Sequence, residues 1–182
     1  MKLVIGLGNP GKKYAHTRHN IGWDAVTAAA EEEKALFSKK ANFKAEVAPS
    51  LVDDVKVWFV RPLTFMNLSG EAVRAIKQYY KVELKDILVV QDEMDFDEGK
   101  MAFSFASGAG GHNGIASIVQ ELGSKEFARL RIGIGRPPEK MDPADYVLQK
   151  PAGETDLKDA AKAILDWVAT GTGEAMNKWN RN

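Results

Sequence analysis

Short apolar segments alternate along this chain with longer segments in which apolar residues recur at helical spacing. The strand-like segments lie at 2–7, 43–47, 55–60, 87–91, 101–105 and 130–134, and the helix-like ones at 20–34, 72–80, 115–122 and 157–168. Strands that alternate with helices usually pair in parallel and are covered by helices on both faces, so the pattern predicts an α/β fold. We expect one three-layer domain over residues 1–182, with a twisted mixed, largely parallel sheet flanked by helices and bearing an antiparallel edge.

Composition restricts the setting in which such a domain works. With 182 residues, the chain is long enough to bury roughly 70% of its unfolded surface without disulfides or metals. It has no Cys, its first residues lack the apolar region of a signal peptide, and no apolar run reaches the length of a membrane span. We therefore expect a cytoplasmic protein without a membrane partner. The net charge is +0, so overall charge does not indicate a nucleic-acid partner.

The run Gly-Leu-Gly-Asn-Pro-Gly at 6–11 satisfies the dinucleotide fingerprint G-x-G-x-x-G directly after the first strand-like segment. In a dinucleotide-binding unit the third Gly opens a helix that packs on the sheet. Here residues 12–16 carry no apolar stripe, and helical spacing begins only near Asn20. No second strand ends in an acidic residue at the expected spacing of about 20 residues. A dinucleotide-dependent oxidoreductase thus stays an alternative, but the chain has the glycine motif without the helix and the acidic residue that should accompany it.

Three histidines, His16, His19 and His112, are the side chains best suited to proton transfer near neutral pH. Their spacing matches neither H-x-x-x-H nor H-E-x-x-H, so we expect no metal. No Ser lies in G-x-S-x-G, which leaves a general-base His that activates water, with a carboxylate to orient it. Asp92 projects from the end of a strand-like segment and is the best candidate, although such an Asp, taken alone, more often caps a turn.

Asparagines recur in turn-like contexts. Asn9, Asn20 and Asn113 each lie next to a Gly, Pro or His, and Asn67 precedes the helix-like segment at 72–80. Each of them, taken alone, fits a turn or helix-capping residue. Together they offer neutral donors and acceptors for a substrate rich in amides.

Five separate motifs occur in the order in which bacterial peptidyl-tRNA hydrolases carry them. They lie at 6–20, 61–70, 92–95, 110–114 and 129–135. The chain resembles that family over nearly its whole length. The resemblance implies a monomeric α/β domain that needs no cofactor and hydrolyses the ester between a peptide and the 3′ end of tRNA.

The resemblance also implies roles for individual residues. His19 matches the family's proton acceptor, Asp92 the residue that stabilises its basic form, and Asn9 the residue that distinguishes blocked from free aminoacyl esters. The positions that hold the tRNA 3′ end and the peptide are matched by Tyr14, Phe65, Asn67 and Asn113, and the neighbours that line the site by His112 and Met66. Aromatic faces can stack a terminal base and amides can pair a peptide backbone.

The chain departs from this family just before the motif at 110–114, where relatives commonly carry basic residues. Ala102, Ser104 and Ser107 stand there instead, so these side chains supply no charge for tRNA phosphates. The irregular segment 135–143 fits either a lid or a connector. An RNA-binding relative that has lost hydrolysis is the competing function, but the presence of both His19 and Asp92 argues against it.

Overall fold

One mixed sheet of seven strands forms the centre of the protein, in a computed structural model that describes residues 1–180. The strands are β1 (Lys2–Gly6), β2 (Ser38–Lys40), β3 (Ala45–Val52), β4 (Val55–Pro62), β5 (Ile87–Glu93), β6 (Met101–Phe105) and β7 (Ala128–Gly133). Their spatial order is β2-β3-β4-β1-β5-β7-β6. The central strands β4, β1, β5 and β7 are parallel, and antiparallel strands flank them at both edges.

Helices cover both faces of this sheet. They are α1 (Ile21–Glu32), α2 (Ser69–Tyr80), α3 (Asn113–Leu122), α4 (Pro143–Val147), α5 (Lys158–Thr170) and α6 (Thr172–Trp179). Buried residues of α1, α5 and α6 pack on one face, and those of α2 and α3 on the other, which gives two apolar clusters. The expected three-layer α/β fold is confirmed. Within residues 1–180, no helix is long and apolar enough to cross a membrane.

The predicted elements form at the expected places, with three additions. The strands β1 and β5 read as continuous apolar runs because helices bury both of their faces. The additions are β2, α4 and α6, which are three, five and eight residues long. The strand β2 is exposed at every position and so shows no apolar pattern. Antiparallel pairing also occurs at both edges of the sheet, where one antiparallel edge was expected.

Glycines in the first motif allow α1 to lie directly on the strand ends. A Cβ at Gly8 would come within 2.9 Å of the side chains of both Asn20 and Trp23, and a Cβ at Gly6 would collide with the carbonyl of Gly22 in α1. After Gly11 the chain forms two one-turn 3-10 helices, Lys12–Tyr14 and Arg18–Asn20, and α1 starts only at Ile21. The motif therefore serves close helix–sheet packing, and the dinucleotide alternative loses its structural support.

Candidate active site

Three segments that are distant in sequence meet at the carboxyl end of the parallel strands. Asp92 is the second-last residue of β5, His19 lies in the one-turn 3-10 helix Arg18–Asn20 before α1, and His112 is the N-cap residue of α3. Because ligands of α/β sheets bind at this edge, the meeting point is the natural place for a site. Asp92 reaches this edge of the sheet because, as expected, it projects from the end of a strand.

His19 is oriented by Asp92. Its Nδ1 lies 3.0 Å from both carboxylate oxygens of Asp92, and the two side chains are 14% and 4% exposed. An ionised carboxylate only accepts hydrogen bonds, so Nδ1 of His19 carries the proton and donates it. The other ring nitrogen, Nε2, makes no hydrogen bond within residues 1–180 and keeps its lone pair. This tautomer can accept a proton at Nε2.

His112 is a second donor to the same carboxylate. Its Nε2 lies 2.7 Å from Oδ1 of Asp92, while its Nδ1 accepts hydrogen bonds from the backbone N–H groups of Gly114 and Ile115 at 3.2 and 3.4 Å. The helix start thus fixes the tautomer, because Nδ1 must be unprotonated to accept and Nε2 must be protonated to donate. The ring of His112 is therefore fixed in orientation and tied to Asp92.

The environment of Asp92 keeps it ionised. Burial by itself raises the pKa of this carboxyl, but its electrostatic and hydrogen-bonding interactions with His112 and His19 outweigh burial and hold the pKa of Asp92 well below its usual range. Asp92 is consequently a carboxylate at every pH at which the protein would work. A fixed negative charge beside His19 favours the protonated imidazole that forms once Nε2 accepts a proton.

His19, Asp92 and His112 also form a group of three potential metal ligands, whose ligand atoms lie within 4.8 Å of one another. The expectation of no metal was based on the spacing of the histidines in the sequence. That spacing did not reveal that these three side chains meet. The hydrogen bonds give a better argument. A metal at Nε2 of His112 would displace the proton to Nδ1, where two backbone N–H groups already point. The residues therefore do not fit a metal.

Asn9 is held rigidly by three hydrogen bonds. Its backbone N–H and C=O both bond the side chain of Asn20, at 2.9 Å each, and its Oδ1 accepts the backbone N–H of Met66 at 2.8 Å. Asn9 is 8% exposed, and its Nδ2 makes no hydrogen bond within the described residues. The amide group of Asn9 therefore presents a fixed N–H donor. Asn20, which the sequence suggested as a substrate amide, instead fixes the backbone of Asn9.

The other predicted binding residues differ in how far their side chains are exposed. Tyr14 and Phe65 make an edge-to-face pair with ring centroids 6.4 Å apart, and Phe65 is 55% exposed. Asn67 and Asn113 have exposed side chains at the starts of α2 and α3. Met66 differs from the expectation, because its side chain is 5% exposed and packs in the core, so it contributes through the backbone N–H that holds Asn9.

A cavity of about 370 Å³ opens beside Asp92. Four of the predicted residues line it, namely His19, Asp92, His112 and Asn113. Asn9, Tyr14, Phe65, Met66 and Asn67 lie outside it. Further residues that were not predicted complete the wall: Gln91, Glu93, Arg129 and Arg131 from the sheet, Met94 and Asp95 just after β5, the loop at 107–111, and Pro143, Ala144 and Val147 of α4. The one available signal was that β7 carries two Arg in an otherwise apolar strand.

Segment 135–143 leads into α4 and so contributes to this wall. Tyr146 of α4 is 8% exposed and donates its hydroxyl to the carbonyl of Ile134 at 2.6 Å. The guanidinium of Arg18 stacks over the Tyr146 ring at 4.1 Å, and the backbone N–H of Arg18 donates to the carbonyl of Gln149 at 3.0 Å. The turn that carries His19 is thereby attached to the far wall of the cavity.

Comparison with known proteins agrees with this geometry. The peptidyl-tRNA hydrolase family model matches residues 3–182. Peptidyl-tRNA hydrolase of Anaeromyxobacter sp. (strain K) is 46% identical over 100% of this chain and 97% of its own, and that of Exiguobacterium sp. is 44% identical over 99% and 100%. A crystal structure of peptidyl-tRNA hydrolase from Acinetobacter baumannii superposes with a TM-score of 0.89 at 34% identity, over 99% of this chain and 94% of that one. The chain belongs to the peptidyl-tRNA hydrolase family.

Proposed function

We propose that this protein hydrolyses the ester that joins a peptide to the 3′ end of tRNA, with His19 as general base. The observation that carries the proposal is the His19–Asp92 pair, in which Asp92 accepts a hydrogen bond from the protonated Nδ1 and leaves Nε2 free beside the cavity. Family membership supplies the substrate class. The site geometry supplies the assignment of the base.

The reaction needs one proton relay. Nε2 of His19 takes a proton from water as its oxygen attacks the ester carbonyl carbon, and Asp92 stabilises the imidazolium that results. The tetrahedral intermediate then collapses, the bond to the ribose 3′ oxygen breaks, and His19 returns the proton to that oxygen. The products are a peptide carboxylic acid, which ionises, and tRNA with a free 3′ hydroxyl. No cofactor enters this balance.

The surroundings of the base suit both ends of the substrate. The aromatic pair of the half-buried Tyr14 and the exposed Phe65 offers faces on which the terminal base can stack. The amide side chains of Asn67 and Asn113, exposed at the starts of two helices, can pair with the ester and the peptide backbone. His112 acts through Asp92, and Met66 acts through Asn9.

Asn9 supplies discrimination between blocked and free aminoacyl esters. Since its Oδ1 already accepts the N–H of Met66, its free group is the Nδ2 donor. A free α-ammonium can only donate hydrogen bonds, so it cannot pair with the Nδ2 donor of Asn9. It must also give up its bound water to enter the site, which costs free energy. A blocked substrate brings an acyl carbonyl that accepts the Nδ2 hydrogen. Peptidyl-tRNA is therefore preferred over aminoacyl-tRNA.

We further propose that the chain works as a single-domain monomer in the cytoplasm. All seven described strands share one sheet, and family membership ties the enzyme to translation. The deciding experiment compares release of the acyl group from N-acetylaminoacyl-tRNA and from the unacylated ester. Rapid release from the blocked substrate alone is expected. Binding of tRNA without release would instead assign the chain to an RNA-binding relative that has lost hydrolysis.

A further inference from the structure

Arg129 is a buried cation that the proposed reaction does not use. It lies in β7, is 2% exposed, and forms no ion pair with any of residues 1–180. Its neighbour Arg131, two positions along the same strand, pairs with Glu93 at 3.5 Å. A guanidinium removed from water needs strong acceptors, because an uncompensated buried charge is costly. The partners that Arg129 does have therefore matter.

Those partners are two backbone carbonyls of the loop before α3. Nη1 of Arg129 donates to the carbonyl of Gly108 at 2.7 Å, and Nη2 donates to the carbonyl of Ser107. The guanidinium also lies 5.2 Å from the ring centroid of Phe127. The planar fork of Arg can hold two adjacent carbonyls at once, which the single ammonium of Lys cannot reproduce.

The loop at 107–111 has few other attachments. Among residues 1–180, the only hydrogen bonds of this loop to residues outside it, besides those to Arg129, are two contacts with near neighbours in sequence. The Ser107 hydroxyl donates to the carbonyl of Phe105 at 3.4 Å, and the carbonyl of Ala109 accepts the N–H of His112. Gly110 and Gly111 adopt φ values of 59° and 82°, so the loop also contains the residues with the greatest backbone freedom. Without its anchor, the loop would sample many conformations.

This loop leads directly to Asp92. The carbonyl of Ala109 accepts the N–H of His112 at 3.0 Å, and His112 in turn donates to Asp92 at 2.7 Å. Hydrogen bonds and the backbone of the loop thus connect Arg129 through His112 to Asp92, the carboxylate that orients His19. Arg129 and the loop line the same cavity as His19.

We infer that Arg129 is a positioning residue, whose two hydrogen bonds hold loop 107–111 so that His112 and Asn113 are set correctly beside Asp92 and the substrate. The inference extends the proposed function, since it assumes that Asp92 and His19 perform the hydrolysis. Misplacing supporting groups by about 1 Å can reduce a rate by as much as about 10²-fold. We expect Arg129→Lys to lower kcat/KM for N-acetylaminoacyl-tRNA by between about tenfold and 10²-fold.

The test combines hydrogen exchange with a double-mutant cycle. Arg129→Lys should speed amide exchange at 107–111 while leaving β5 protected, and its kinetic cost should shrink to a few-fold in a His112→Ala background, because the two residues act through one connection. Arg74→Met, which removes an exposed ion pair with Glu121 on α2 and α3, is the matched control and should change neither readout.

The outcomes separate this inference from the proposed function. Additive kinetic effects, or unchanged exchange at 107–111, would show that Arg129 has a general structural role and would overturn the inference. If Arg129→Lys does not fold, Arg129→Gln, whose side-chain amide retains two N–H donors, replaces it in the same cycle. If neither variant folds, Arg129 has a general structural role and the inference is overturned. A wild-type protein that releases no acyl group refutes the proposed function, while the exchange data still decide whether Arg129 holds the loop.

Discussion

Replacing Asp92 by Asn separates the charge of this carboxylate from its shape. In the wild type, Oδ1 lies near both imidazoles, and Oδ2 lies 3.0 Å from Nδ1 of His19. If Oδ1 of the new Asn accepts hydrogen bonds from both His19 and His112, its Nδ2 group faces the Nδ1–H of His19, and two donors then oppose each other. The conflict is relieved if His19 moves its proton to Nε2, and in that tautomer the nitrogen that should accept a proton from water is blocked.

The size of the effect follows from these hydrogen bonds. A hydrogen bond to a charged group contributes about 1.5–3 kcal/mol, and each 1.4 kcal/mol is about tenfold in rate, so loss of the charge costs between about tenfold and 10²-fold. Because Asn can still accept from His112 and fill the same space, the loss should be smaller than that caused by removing His19. We therefore expect Asp92→Asn to reduce kcat/KM by about 10- to 100-fold with an unchanged fold.

The assay measures acyl release from N-acetylaminoacyl-tRNA across pH, with circular dichroism to check folding. Because the pKa of Asp92 lies well below its usual range, this group stays ionised in the wild type, and the acid limb should report one protonation, that of the base. Asp95→Asn is the matched control, since Asp95 also lines the cavity but is exposed and pairs with Arg136. A wild-type rate for Asp92→Asn, or a loss larger than that of His19→Ala, would refute the reasoning.

Three further predictions test other parts of the site. Asn9→Asp should still hold Met66 but present an oxygen to a free α-ammonium, so the blocked-to-free rate ratio should fall; an unchanged ratio would remove Asn9 from discrimination. Ser104→Lys should lower KM for full-length peptidyl-tRNA and steepen its salt dependence by about 0.7 to 0.9 in log–log slope. Because Ser104 lies opposite Arg129, the added charge should lower stability by about 0.2–1 kcal/mol. An equal decrease of KM for a minimal ester without the tRNA body would contradict this prediction. Chelation should leave hydrolysis of a short acylated ester unchanged, whereas specific rescue by Zn²⁺ or Mn²⁺ would indicate a metalloenzyme.

The layers of the fold could be predicted because apolar periodicity is a local property. Helices that cover both faces of β1 and β5 require continuous apolar strands, and that pattern is visible in the chain. The strand β2 could not be predicted, since its three exposed residues form a strand only through pairing with β3. Tertiary pairing, and not local preference, decides such an edge.

The pairing of His19 with Asp92 could be predicted, but the residues that support this pair could not. Residue type and position at a strand end indicated His19 and Asp92, because few other groups can transfer a proton near neutral pH. The second donor from His112 depends on how the loop at 107–111 folds, which periodicity does not report. Arg129 and Arg131 look alike in sequence, yet one is 2% exposed and holds a loop while the other pairs with Glu93. Such differences arise from packing of distant segments.

The most direct test of the account is single-turnover hydrolysis of N-acetylaminoacyl-tRNA by His19→Ala, with tRNA affinity measured on the same preparation. A general base contributes about 10²–10⁴-fold in rate and little ground-state binding. The account predicts a rate reduced by that amount, with affinity within a few-fold of the wild type. A rate equal to that of the wild type would contradict the assignment of His19 as the group that activates water.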